Sequence, residues 1–134
     1  MILVDTNVWS ELSKRQPERR VISWLASNEA QLHLSVFVIA ELRRGCEMPK
    51  AKPFRKLFEA GLADLEAAYS TRIVPFDAPA AHIFGHLAAQ RVLGSKIIDV
   101  QIAAQALARD CALATRNVKD FAWTGVKLVD PWEG

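Results

Sequence analysis

Ile2-Leu3-Val4-Asp5-Thr6-Asn7 sets three apolar residues directly against three polar ones. An apolar run this short, with no polar alternation, suits a strand buried on both faces, the strand of a parallel sheet. Asp5 then falls at the carboxyl end of that strand, the edge of an open α/β sheet where ligand sites lie. Downstream, apolar periodicity and turn residues predict helices over 8–12, 19–26, 36–46, 53–69, 78–93 and 98–108. Strands are expected over 31–34, 72–76, 112–114 and 126–129, with Ser35 as a helix N-cap and Gly45 and Pro49 as stop signals. This alternation predicts an α/β fold, a three-layer α/β/α sandwich around a mainly parallel sheet of four to five strands with right-handed crossovers.

Composition sets the outer bounds. The chain has 134 residues, 51% hydrophobic and 24% charged, which fits one globular domain over residues 1–134 and excludes disorder or a collagen-like repeat. Seventeen Lys and Arg against fifteen Asp and Glu leave a net charge of +2, too little to make the whole surface a polyanion binder. Any nucleic-acid contact must therefore be local. Cys46 and Cys111 are expected as free buried thiols in a reducing compartment, and a cytoplasmic location is the economical reading. The N-terminus lacks the basic and long apolar regions of a secretory signal, and no apolar run approaches the roughly 20 residues that span a bilayer.

Three carboxylates stand where a core is expected. Asp99 shares a helical stripe with Ile102, Ala103 and Ala106, and Glu41 sits among Phe37, Val38 and Gly45. Each has a bland alternative: Asp5 as a helix cap, Asp99 as an acid favoured by a helix dipole, Glu41 in a salt bridge to Arg44. Together, Asp5, Glu41 and Asp99 suit a hard cation such as Mg²⁺ or Mn²⁺, which takes oxygen ligands. Zinc is disfavoured because soft ligands are scarce, and His82 and His86 lack the intervening Glu of a zinc-protease helix. No Gly-x-Ser-x-Gly turn or phosphate loop occurs.

Asp5-Thr6-Asn7, Ala40-Glu41-Leu42-Arg43-Arg44-Gly45, Asp99 followed by Ile102-Ala103-Ala104, and Ala114-Thr115-Arg116-Asn117 occur in an order that resembles the PIN-domain family, specifically the VapC/FitB-like toxins of bacterial type II toxin-antitoxin systems. Val74-Pro75-Phe76-Asp77 and Asp130-Pro131-Trp132 extend the resemblance over essentially the whole chain. It implies a Mg²⁺- or Mn²⁺-dependent endoribonuclease that leaves a 3′-hydroxyl and a 5′-phosphate, with Asp5, Glu41 and Asp99 as its principal acids. A fourth family acid falls at Asn117, whose neutral carbonyl cannot replace a carboxylate at a second cation, although Asp120 could substitute. Thr6 and Thr115 correspond to hydroxyls that orient the attacking water. The resemblance further implies a homodimer and a cognate antitoxin, VapB- or FitA-like, whose C-terminal segment places an Arg in the acidic pocket.

Lys50, Lys52, Arg55 and Lys56 beside Phe54 form the densest basic segment and suit an RNA backbone guide, with a solvated helix start as the alternative. Arg43, Arg44, Arg116 and Lys119 lie nearer the acids in sequence. Two rivals to the nuclease are a haloacid-dehalogenase-like phosphatase, which lacks its second Asp here, and a catalytically silent PIN-like module that binds RNA or a partner, which Asn117 favours.

Overall fold

The structure, a computed structural model, describes residues 1–133. Five strands, β1 (Ile2–Val4), β2 (Leu32–Ser35), β3 (Ile73–Val74), β4 (Ala112–Ala114) and β5 (Leu128–Val129), form one sheet in the order β3-β2-β1-β4-β5, and every pairing is parallel. The first strand is therefore the central one. Leu3 and Val4 are wholly buried, as the unalternated apolar run requires.

Seven α-helices flank the sheet: α1 (Thr6–Ser10), α2 (Arg19–Asn28), α3 (Val36–Glu47), α4 (Arg55–Ala68), α5 (Ala78–Ala88), α6 (Ile97–Ala108) and α7 (Val118–Phe121). Helix α3 packs on both α1 and α4, and α5 packs on α6. The apolar core joins Leu3, Val4, Leu34 and Leu113 of the sheet to Val8, Trp9, Val38, Ile102 and Phe121 of the helices. The small side chains of Ala103, Ala104 and Ala106, all fully buried, let α6 lie close to its neighbours.

Local chemistry explains where the elements depart from their expected limits. Helix α3 runs through Gly45 to Glu47, because a single glycine costs a helix only about 1 kcal/mol. It stops at Met48, whose ψ of 143° is the extended conformation that the following Pro49 imposes. Residues Pro49–Phe54 form a 3-10 turn, so α4 begins at Arg55 and not at Pro53. Helix α5 ends at Ala88, short of residue 93, and β3 and β5 are two residues each. Ser35 caps α3 as expected, accepting from the Phe37 amide at 3.0 Å.

One buried polar network ties the layers together. Gln105 on α6 has no exposure, its amide nitrogen donates to the Val74 and Pro75 carbonyls at 3.1 and 3.0 Å, and its oxygen accepts from the Ser35 hydroxyl at 2.6 Å. A Gln105→Ala variant strands all three partners and opens a cavity, so urea unfolding should show a loss of about 2–4 kcal/mol. A change under about 0.5 kcal/mol would remove the network from any structural role.

Candidate functional site

Central placement of β1 gives Asp5 its surroundings. Val4 pairs with Leu34 on one side and Ala114 on the other, so the next residues, Asp5, Ser35 and Thr115, stand side by side at the carboxyl edge of the sheet. The Asp5 amide continues the ladder to the Ala114 carbonyl at 2.9 Å. Its side chain is only 4% exposed, and both oxygens are engaged. Oδ1 accepts from the Thr6 amide at 2.8 Å, and Oδ2 accepts from the Thr115 hydroxyl at 2.8 Å and the Asn7 side-chain amide at 3.3 Å. Asn7 also accepts from the Arg116 amide, and the Thr115 hydroxyl oxygen accepts from the Asn117 amide at 3.1 Å. The helix-cap reading of Asp5 is therefore true in part, but one cap bond does not account for the other contacts.

Burial pushes the Asp5 carboxyl from an ordinary 3.8 up to about 6, against the lowering effect of the Thr115 and Thr6 hydrogen bonds and with the charges of Asp99 and Glu41 adding to the rise. Glu41, half-buried on α3, accepts from the Thr6 hydroxyl at 2.6 Å, so Thr6 touches two of the acids, one through its backbone and one through its side chain. Arg43, meanwhile, pairs with Glu59 at 3.0 Å and Glu47 at 3.7 Å. Asp99 lies in the first turn of α6, and its carboxyl is raised by burial, lowered by Lys96, and raised again by Glu41 and Asp120. The Lys96 ammonium stands 3.2 Å from Asp120 Oδ2 and 3.9 Å from Asp99 Oδ2.

Asp5, Glu41, Asp99 and Asp120 thus come from four elements into one electrostatic neighbourhood, with Thr6 and Thr115 between them. Asn117 is exposed, and its described contact is through the backbone. Among the described residues, no three Asp, Glu, His or Cys side chains are already arranged about one point as ligands. Each outer carboxylate meets another partner, Glu41 the Thr6 hydroxyl and Asp99 and Asp120 the Lys96 ammonium. The donor set is nonetheless all oxygen, and a buried carboxylate already destabilised by two neighbouring negative charges is where a hard divalent cation fits.

Sequence reading assigned no role to Asn7 or Lys96. Asn7 acts across contacts more than a hundred residues apart, which no local pattern reveals. Lys96 did leave a signal, an opposite charge three residues before Asp99 at a helix start. Of the basic candidates, Lys52 and Lys56 are exposed, whereas Arg55 is half-buried and donates to the Cys46 carbonyl at 2.7 Å at the end of α3. Arg116 lies over the Trp132 ring at 5.0 Å. His82 and His86 are on an exposed face, and Cys46 and Cys111 are free and buried. From Thr6 and Glu41 a largely apolar groove of about 490 Å³ runs between α1, α3 and α4, past Leu42, Leu57, Phe58, Leu62 and Leu65. Among the described residues, no helix is long and apolar enough to cross a membrane.

The PIN domain family model matches residues 2–125. The chain is 37% identical over 138 residues to VapC ribonuclease Y4jK of Sinorhizobium fredii, covering 99% of each. The crystal structure of FitAcB from Neisseria gonorrhoeae superposes with a TM-score of 0.87 at 34% identity, over 100% of both chains. A toxin-antitoxin complex from Klebsiella pneumoniae superposes with a TM-score of 0.68 at 28% identity, over 98% of both.

The raised Asp5 carboxyl makes a stability prediction. Because its folded pKa of about 6 exceeds 3.8, the native state holds the proton more tightly, and stability falls as pH rises between those values and is level above them. In chelator-treated protein, stability should therefore fall between about pH 4 and pH 7, and Asp5→Asn, which has no proton to lose there, should show a smaller fall, read by denaturant titration across that range. An equal pH dependence in wild type and Asp5→Asn would contradict this account.

Proposed function

The chain belongs to the PIN-domain family, and from that premise we propose that it is a Mg²⁺- or Mn²⁺-dependent endoribonuclease, the toxin of a VapBC-like pair. The observation that carries this reading is Asp5: a buried carboxylate at the end of the central strand, its charge opposed by Asp99 and Glu41. Such an arrangement costs stability unless positive charge arrives. The ribonuclease name of the relative from Sinorhizobium fredii supports the choice of substrate.

Asp5 and Asp99 would hold the cation, with Glu41 completing the set. A bound divalent cation would supply polarisation of the phosphate and a more acidic attacking water. The chain's own groups do the positioning. Thr115 and Asn7 fix the orientation of Asp5 Oδ2, and the Thr6 hydroxyl fixes Glu41 Oε1. That leaves Glu41 Oε2 to accept a hydrogen bond from a water in line with the scissile phosphorus. The water oxygen bonds to phosphorus as its proton passes to Glu41 Oε2, the bond to the 3′ oxygen breaks, and that oxygen takes up a proton from solvent water while Glu41 returns its own to solvent, giving a 5′-phosphate and a 3′-hydroxyl. Asn117, being neutral, takes no proton in this scheme.

Arg116 and Lys119 flank Asn117 and meet the RNA backbone next to the acids. The apolar groove beginning at Glu41 fits an apolar segment of an antitoxin, with a terminal Arg reaching the carboxylates. Kinship with a solved toxin-antitoxin complex supports that partner.

Asp5→Asn and Asp99→Asn should each lower Mg²⁺- or Mn²⁺-stimulated RNA cleavage by at least about 10²-fold while the circular dichroism spectrum is kept. Unchanged cleavage in either variant sinks the assignment, and metal binding without turnover on any RNA selects the silent module that Asn117 favours. Arg116→Gln with Lys119→Gln should weaken RNA binding and flatten its salt dependence by roughly 0.7 in log-log slope per charge removed, measured by fluorescence anisotropy. An unchanged slope would place the RNA elsewhere.

A further inference from the structure

Lys96 is out of place by the usual electrostatics of a helix. It is the N-cap residue of α6, where the helix dipole presents partial positive charge and disfavours a cation. It makes no side-chain cap bond there. Its ammonium points instead to Asp120 on α7 at 3.2 Å and to Asp99 one turn into α6 at 3.9 Å. Asp120 first, and then Asp99 and Asp5, favour its charged form. The 3-10 turn Gly94–Lys96 that delivers it starts at Gly94, whose φ of 55° is a left-handed conformation that a side chain rarely adopts.

The fourth side of the cluster is altered in the same place. Where the family resemblance expects an acid, Asn117 is neutral, and Asp120, in the next helical turn, faces Lys96. The Lys96 ammonium already stands on the Asp99–Asp120 side, so a second divalent cation binding those two carboxylates would meet its positive charge at short range.

We propose that the Lys96 ammonium takes the place of a second metal ion, so that the site binds one divalent cation and Lys96 supplies the other positive centre on the Asp99–Asp120 side. This rests on the metal-dependent reading above. In that role Lys96 holds Asp99 and Asp120 in position and offers its ammonium to a phosphate oxygen of the substrate. Because more than half of its side chain is exposed, at 52%, it is free to turn from Asp120 towards a phosphate without disturbing the core.

The test is a metal count on chelator-stripped full-length protein, with Mn²⁺ alone as the probe, read by electron paramagnetic resonance of the free ion. Wild type and Lys96→Arg should each bind one Mn²⁺ per chain. Lys96→Gln should gain a second site, at least about tenfold tighter than any second binding in wild type. Cleavage at limiting Mn²⁺ should drop in Lys96→Gln and return in Lys96→Arg. Two Mn²⁺ in wild type, or one in both wild type and Lys96→Gln, overturns the proposal while the metal-dependent reading stands. No binding in any of the three proteins removes both.

Discussion

A carboxylate is held almost out of water at the carboxyl end of the central strand, and much of the structure is arranged around keeping it there. Burial works against the charge of Asp5, and Asp99 and Glu41 work against it further. Donors from three places answer that cost: the Thr6 amide at the start of α1, the Asn7 side chain one residue on, and the Thr115 hydroxyl at the end of β4. These donors converge because β1 pairs with β2 and β4 in parallel, which brings three strand ends to one edge. Without the β1–β4 pairing, Thr115 would have no reason to face Asp5.

The buried polar groups around Gln105 and around Asp5 have different uses. Around Gln105, every donor and acceptor of the amide is matched, so the network adds stability and fixes how α6 sits on β2 and β3. Around Asp5 the hydrogen bonds are also made, yet the carboxyl stays near 6 because burial outweighs them, with the charges of Asp99 and Glu41 adding to the rise. The first centre is complete in itself, whereas the second is satisfied only when a positive charge comes from outside. That contrast is the physical signature of a site within a fold, where local stability is given up for function.

Lys96 belongs to the same balance. Positive charge at the start of α6 opposes the helix dipole, but it lies where three acids need it. Arg116, stacked on Trp132, places a second positive group beside the neutral Asn117. A nearly neutral chain thereby presents a negative pocket with positive borders, which suits a polyanion whose phosphate is approached through a cation.

The sequence by itself determined the alternating strands and helices, the buried first strand, the Ser35 cap and the presence of carboxylates among apolar neighbours, because each is written in local periodicity or in a charge at an apolar position. Element ends were less legible: a lone Gly45 reads as a stop signal, but twelve residues of α3 tolerate it and only Pro49 ends the helix. The partners of those acids were decided by tertiary structure. Asn7 with Thr115, Thr6 with Glu41, and Lys96 with Asp120 are pairs far apart in the chain, fixed by strand order and helix packing. Local pattern shows that a charge is misplaced, but only the folded chain shows what stands beside it, because hydrogen bonds and Coulomb forces depend on distance in space and not along the chain.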